Sequence, residues 1–196
     1  MRAVRLAVLL LSAPLTLALA GSASAADGIT VVNEGGIRDR WMLAPGVPLA
    51  VPQYPPQFAR RHDTVCIGVG YLLKPDGTTS DFALLKGWTS AGNTEPESGY
   101  WQAFAESAGD ALKQWRFQPR PEIAQAKPVY TVATFVFGGQ PAQHRSKCAV
   151  PNLIARLREL KAARDRRTAA GDVLDDLDLN AVDARGTDVA GTRTYP

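Results

Sequence analysis

Histidine and cysteine are scarce in this chain, with two of each among 196 residues. His62 and His144 lie far apart, and neither stands at the His-x-x-x-His or Cys-x-x-Cys spacing typical of zinc sites. The sequence also lacks a Gly-x-Ser-x-Gly elbow, a phosphate-binding P-loop and a Gly-x-Gly-x-x-Gly dinucleotide fingerprint. We therefore expect a protein that is not an enzyme and that uses no metal or other cofactor.

Long apolar runs are missing as well. The most apolar stretch, residues 6–20, is interrupted by Pro14 and falls short of the roughly 20 residues that a membrane-spanning helix needs. Arg2 and Arg5 precede it and Ala23-Ser24-Ala25 follows it, which is the order of a secretory signal peptide. We expect residues 1–25 to be cleaved on export. The alternative is that the segment is retained as a membrane anchor.

Excess charge of either sign is small. The chain carries a net charge of +3 at pH 7, and cleavage after Ala25 would remove two of its basic residues and no acidic ones. Nucleic acids and anionic membranes bind concentrated basic surfaces. A nearly neutral mature chain therefore argues against a nucleic-acid partner.

Both cysteines, Cys66 and Cys148, would survive cleavage and reach a compartment in which disulfides persist. An even pair without Cys-x-x-Cys spacing predicts a Cys66–Cys148 disulfide. Two unpaired thiols are the alternative for a chain that stays in a reducing compartment.

The middle of the chain predicts an α+β fold. Alternating apolar residues predict a half-buried strand over 65–73, a Pro-Asp-Gly turn leads into a second strand over 79–88, and β-branched and aromatic residues predict a third over 129–137. Apolar residues at helical spacing predict a helix over 100–115. The expected fold is a small antiparallel sheet with one helix packed on it, in the order β-β-α-β.

The flanking segments are less regular. Residues 26–50 are rich in proline and glycine and predict an extended lead, in which the apolar patches at 29–32 and 41–43 could each add a short strand. Residues 141–167 predict a linker followed by a basic helix capped by Asn152. Residues 168–196 contain few large apolar groups and predict a disordered tail.

Four short motifs stand out: Gln53-Tyr54-Pro55, Pro75-Asp76-Gly77, Ala111-Leu112 and Trp115-Arg116-Phe117-Gln118-Pro119. Structurally, we expect Asp76 and Gly77 to turn the hairpin, Trp115 and Phe117 to lock the helix to the sheet, and Pro119 to end the helix. Together the motifs resemble the C-terminal domain of the TonB energy transducers, over about residues 51–138, so that the predicted domain is 51–140.

The resemblance implies a periplasmic module that grips an extended peptide of an outer-membrane TonB-dependent transporter or another envelope protein. Binding would proceed by strand addition, in which an open sheet edge accepts an extra strand through its unpaired N–H and C=O groups. The expected edge is the stretch 130–136. The expected partner contacts are Gln53, Tyr54, Pro55, Tyr130, Val132, Thr134 and Val136.

The sequence departs from the family in its N-terminal half. A TonB transducer has an uncleaved anchor and a long proline-rich spacer, whereas this segment reads as cleavable and the spacer is absent. Two alternatives to a periplasmic binding module stay open. One is a membrane-anchored transducer on the periplasmic side of the inner membrane, and the other is an envelope structural protein whose edge strand pairs into a homodimer.

Overall fold

The computed structural model describes residues 28–92 and 96–165. The predicted signal peptide and the predicted tail lie outside these residues. The strands are β1 (Thr30–Val31), β2 (Trp41–Leu43), β3 (Val65–Leu73), β4 (Thr79–Thr89), β5 (Phe117–Pro119) and β6 (Val129–Phe137), and the helices are α1 (Tyr100–Leu112), α2 (Pro141–Cys148) and α3 (Leu153–Asp165), with 3-10 turns at Gly36–Asp39 and Pro56–Arg61.

The main sheet confirms the predicted fold class. Its strand order is β1-β6-β3-β4, and β3 runs antiparallel to β4 on one side and to β6 on the other. In the chain, β3, β4, α1 and β6 occur in the predicted β-β-α-β order, with the short strand β5 between α1 and β6. The short strand β1 adds to β6 in parallel, which makes the sheet mixed.

Both faces of β3 are buried, so the prediction of a half-buried strand is wrong. One face meets α1 through Val65, Ile67 and Val69, together with Phe104 and Leu112 of the helix. The opposite face of β3 lies in a second core, where α3 covers it. The alternating sequence pattern predicted that this face is exposed to water. That second core consists of Val31, Leu85, Tyr130, Val132, Val150, Leu153 and Leu157.

Small residues on the second face of β3 make this covering feasible. A Cβ at Gly70 would lie 2.5 Å from the hydroxyl oxygen of Tyr130, and one at Gly68 would lie 3.0 Å from the carbonyl oxygen of Cys148. The two glycines therefore admit the Tyr130 ring and the end of α2 close to the sheet. The predicted Cys66–Cys148 disulfide is confirmed and ties β3 to α2.

Both apolar patches of the lead form short strands, with the 3-10 turn Gly36–Asp39 between them. The first is β1, and the second, β2, pairs antiparallel with β5 in a separate two-stranded sheet, with Trp41 opposite Pro119 and Leu43 opposite Phe117. The strand β1 joins the central sheet and α3 packs on it. Residues before and after the predicted 51–140 domain in the sequence therefore contribute to its structure.

The helices differ from prediction at their ends. The helix α1 stops at Leu112, and Pro119 lies in β5, so the prediction that Pro119 ends the helix is wrong. The helix is ended instead by a turn in which Trp115 N–H donates to the Leu112 carbonyl. The Asn152 cap of α3 is confirmed, since its side-chain oxygen accepts the Ala155 N–H at 2.9 Å. The linker contains a short helix, α2, that was not predicted. Of the helices described, none combines the length and apolar character needed to cross a bilayer.

Candidate partner-binding border

The outer border of β6, meaning the side of this strand turned away from β3, is the place where an added strand would pair. Main-chain groups of alternate residues in a strand point to the same side. The Tyr130 carbonyl accepts a hydrogen bond from Val32 N–H at 3.0 Å on this side, and Thr134 N–H points the same way. By the same alternation, Val132 and Val136 present their main chain to the outer border.

The start of this border is occupied by β1. Thr30 N–H donates to the Pro128 carbonyl at 3.3 Å, and Thr30 and Val31 stand opposite Val129 and Tyr130 in parallel register. The side chain of Val31 is only 4% exposed, because it lies in the second core. The pairing covers two residues of a nine-residue strand.

Side chains of Glu34 and Arg145 bond to the middle of the border. The Glu34 carboxylate accepts the Thr134 N–H at 2.9 Å and the Thr134 hydroxyl at 2.8 Å. Arg145 of α2 forms an ion pair with the same carboxylate and donates to the Thr134 carbonyl at 3.3 Å. A carboxylate thus takes the position that the carbonyl of an added strand would hold.

The expectation of an open edge over 130–136 is therefore wrong for this conformation. Tyr130, Val132 and Thr134 are buried, and Val136 is half-buried. The physical reason is that the lead folds back on the sheet and satisfies main-chain groups that would otherwise be unpaired. Glu34 and Arg145, which complete the closure, were not predicted, since they lie 111 positions apart and form no local pattern.

The opposite border of the sheet, along β4, is also covered. Arg156 of α3 donates from Nε to the Leu85 carbonyl at 2.8 Å. Next to this border, the ring of Trp101 packs on the face of β4 at Gly87, where a Cβ would be 2.6 Å from it. Asp81 adopts a positive φ of 53°, which breaks the regular strand. Side-chain cover and irregular backbone are common ways of blunting a sheet edge.

The Gln53-Tyr54-Pro55 segment lies along α1, away from the outer border of β6. Ser107 donates its hydroxyl to the Gln53 carbonyl at 2.5 Å, and Tyr54 donates its hydroxyl to the Asp63 carbonyl at 3.2 Å. Gln53 is exposed, whereas Pro55 is buried. The segment and α1 enclose an open groove of about 310 Å³.

The predicted partner contacts therefore fall on two faces. Tyr54 packs edge-on against Phe104 and Phe137 in the first core, at ring distances of 5.1 and 6.4 Å. Tyr130 belongs to the second core on the other side of the sheet. The structure brings Tyr130, Val132, Thr134 and Val136 together along one strand and leaves Gln53, Tyr54 and Pro55 apart from them.

The residues of the hairpin turn and the helix exit lie against each other. Asp76 accepts the Thr78 hydroxyl at 2.6 Å and the Thr78 N–H at 2.9 Å, and these two bonds lower the pKa of its carboxyl group. Phe117 N–H donates to the Gly77 carbonyl at 2.9 Å. The Trp115 ring contacts Phe117 edge-on, and its Nε1 donates to the Ala50 carbonyl at 2.9 Å.

A polar cluster lies at the N-terminal end of α1. Tyr100 donates to the Asp63 carboxylate at 3.0 Å, and Arg61 pairs with the same carboxylate at 2.7 Å. Burial raises the pKa of Tyr100 to about 12, with a further contribution from its bond to Asp63. The members of this polar cluster bond to one another, as expected of a structural network. Over 28–92 and 96–165, histidines, cysteines and acidic residues form no group of three or more that could hold a metal ion.

No protein-family model matches the chain, and no curated protein matches it. Among solved structures, the TonB C-terminal domain of Pseudomonas aeruginosa is similar at 18% identity with a TM-score of 0.38, over 51% of this chain and 87% of that one. The TonB C-terminal domain of Helicobacter pylori is similar at 18% identity with a TM-score of 0.31, over 45% of this chain and 70% of that one.

Proposed function

We propose that this protein is a periplasmic binding module that receives an extended segment of another envelope protein at the outer border of β6. The observation that supports this proposal is the pairing of β1. An extended segment from a distant part of the chain already lies there in parallel and bonds to main-chain groups of β6. The border is thus able to accept a strand.

The border offers more main chain than β1 uses. Its pairing stops after Val31, and beyond that point the contacts with Thr134 come from the side chains of Glu34 and Arg145. A partner strand of five or six residues would extend the ladder of main-chain bonds beyond the two residues that β1 covers. Main-chain bonds supply affinity in strand addition, and pockets for alternate side chains supply specificity.

An N-terminal segment of an outer-membrane transporter is the partner that we propose first. Gln53 is exposed beside the groove on α1 and would contact the folded part of such a partner. The roles of Tyr54 and Pro55 would be to hold this segment in place, because their contacts are made within the chain. No cofactor takes part in this mode of binding.

Site-specific photo-crosslinking in cells tests the proposal. A photoreactive residue replaces Lys127, which is exposed and lies next to Pro128 at the start of the border. The matched control replaces Lys113, an exposed lysine at the end of α1. We expect adducts at position 127 that map to an extended segment of an envelope protein, and none of these at position 113.

Two outcomes would contradict strand addition to a different protein. Equal adducts at both positions would show that contact with the border is unspecific. Adducts at position 127 only with a second copy of the chain would instead support the homodimeric structural protein.

A further inference from the structure

Residues 29–34, called here the internal segment, lie where a partner strand would bind. They are held by few main-chain bonds, since the pairing of β1 covers two residues. A two-stranded pairing of this length has little stability without further contacts. The side chains of the internal segment must therefore supply most of what holds it in place.

Three side chains of the internal segment make specific contacts. Val31 fills a place in the second core beside Leu153 and Leu157. Asn33 accepts the Leu153 N–H at 2.9 Å and so caps the N-terminus of α3. Glu34 bonds to Thr134 and pairs with Arg145.

The Glu34 contact is the one that a partner strand would have to replace first. Its carboxylate occupies the Thr134 N–H, which is an outward-facing donor in the middle of the border. Charge-assisted hydrogen bonds are stronger than neutral ones, so a carboxylate at this point is well held. An incoming strand that carries its own acidic side chain could keep the same bonds.

We propose that the internal segment is a built-in competitor for the partner-binding border, and that Thr134 and Arg145 select partner strands with an acidic side chain at the position of Glu34. This inference rests on the proposed function and adds its regulation and its ligand chemistry. The chain's own residues show which pattern fits: a β-branched residue in the place of Val31 and a carboxylate three positions later.

Peptide binding to the purified chain tests this inference. The probe is a synthetic peptide with the sequence of residues 28–35, added to the unaltered protein and to the Glu34→Ala variant. Weakening the competitor raises the fraction of protein with an open border, and apparent affinity rises in proportion. We expect the variant to bind the peptide about tenfold more tightly, given the strength of a charged hydrogen bond.

Two matched controls isolate the carboxylate. Glu106→Ala removes an exposed glutamate of α1 that bonds to Gln102, and it should bind the peptide like the unaltered protein. A peptide carrying Glu34→Gln should bind the Glu34→Ala protein about tenfold more weakly than the unaltered peptide, because it cannot form the ion pair with Arg145. Amide exchange in the second core should show that the variant stays folded.

The outcomes separate this inference from the proposed function. If Glu34→Ala binds the peptide no more tightly than the unaltered protein, or if both peptides bind equally, then residues 29–34 are a fixed part of the sheet and the inference is overturned. Crosslinks from position 127 to an extended partner strand would leave the proposed function standing in that case. Failure of both experiments would remove the proposed function as well.

Discussion

Gly77 holds the hairpin turn against the exit of α1. Its φ is +81°, and a Cβ at this position would lie 1.9 Å from the carbonyl oxygen of Phe117. Gly46 has a similar φ of +74°, but a Cβ there would have no atom within 4 Å. Comparing substitutions at Gly77 and Gly46 therefore separates backbone strain from steric overlap.

We predict that Gly77→Ala lowers the free energy of unfolding by about 3 to 5 kcal/mol, because left-handed strain and overpacking add. Gly46→Ala should lower it by about 1 kcal/mol, from strain alone. Urea denaturation of both variants measures the difference. Equal losses would mean that the turn yields without disturbing Phe117.

Tyr100 makes stability depend on pH in the alkaline range. Burial raises its pKa to about 12 in the folded protein, whereas an unfolded tyrosine titrates near 10. Between these values the folded chain holds a proton that the unfolded chain has lost, so the free energy of unfolding must fall as pH rises. Burial also raises the pKa of Tyr71, which adds to the fall.

We predict that the free energy of unfolding, measured by urea denaturation, falls between about pH 10 and about pH 12. Tyr100→Phe should show a smaller fall over the same interval, since one of the titrating groups is gone. An identical fall in the variant would contradict the assignment to Tyr100.

The sequence predicted those residues whose roles are local. Asn152 caps a helix that begins beside it, and Pro-Asp-Gly sets a turn through its own backbone preferences. Glu34 and Arg145 carry no such signal, because each gains its role only when the lead folds back on β6. Residue types alone could not show that the expected edge is closed.

Among the elements, β3 and α1 were predictable because their apolar residues follow a strand or helix period. The strand β4 was predictable from the Pro-Asp-Gly turn before it, and β6 from its density of β-branched and aromatic residues. The helix α2 was missed because it is short and polar. The burial of both faces of β3 was missed because Gly68 and Gly70 read as an uncovered face, whereas they make room for Tyr130 and Cys148.

The disulfide between β3 and α2 links residues 82 positions apart in sequence. We predict that the double variant Cys66→Ala/Cys148→Ala loses about 2 to 5 kcal/mol in the free energy of unfolding. Amide exchange at Thr134 should also quicken, because α2 carries the Arg145 that pairs with Glu34. Unchanged stability and exchange would show that packing alone holds α2.

For the whole molecule, the location of the protein depends on the fate of its first residues, which lie outside the described ones. We predict that the exported product begins at Ala26, because the segment before it has the order of a signal peptide. N-terminal sequencing of the periplasmic fraction measures this. A product in the membrane fraction that still contains residues 6–20 would favour the anchored transducer.

The central claim is that the outer border of β6 pairs with a strand of another protein. Hydrogen exchange at the amides of Val132 and Val136, with and without the partner strand mapped from position 127, tests it most directly. We predict slower exchange at both amides on binding and no change at Gly87 on the β4 border. Binding that leaves Val132 and Val136 unchanged, and instead protects residues 51–57 along α1, would contradict the claim.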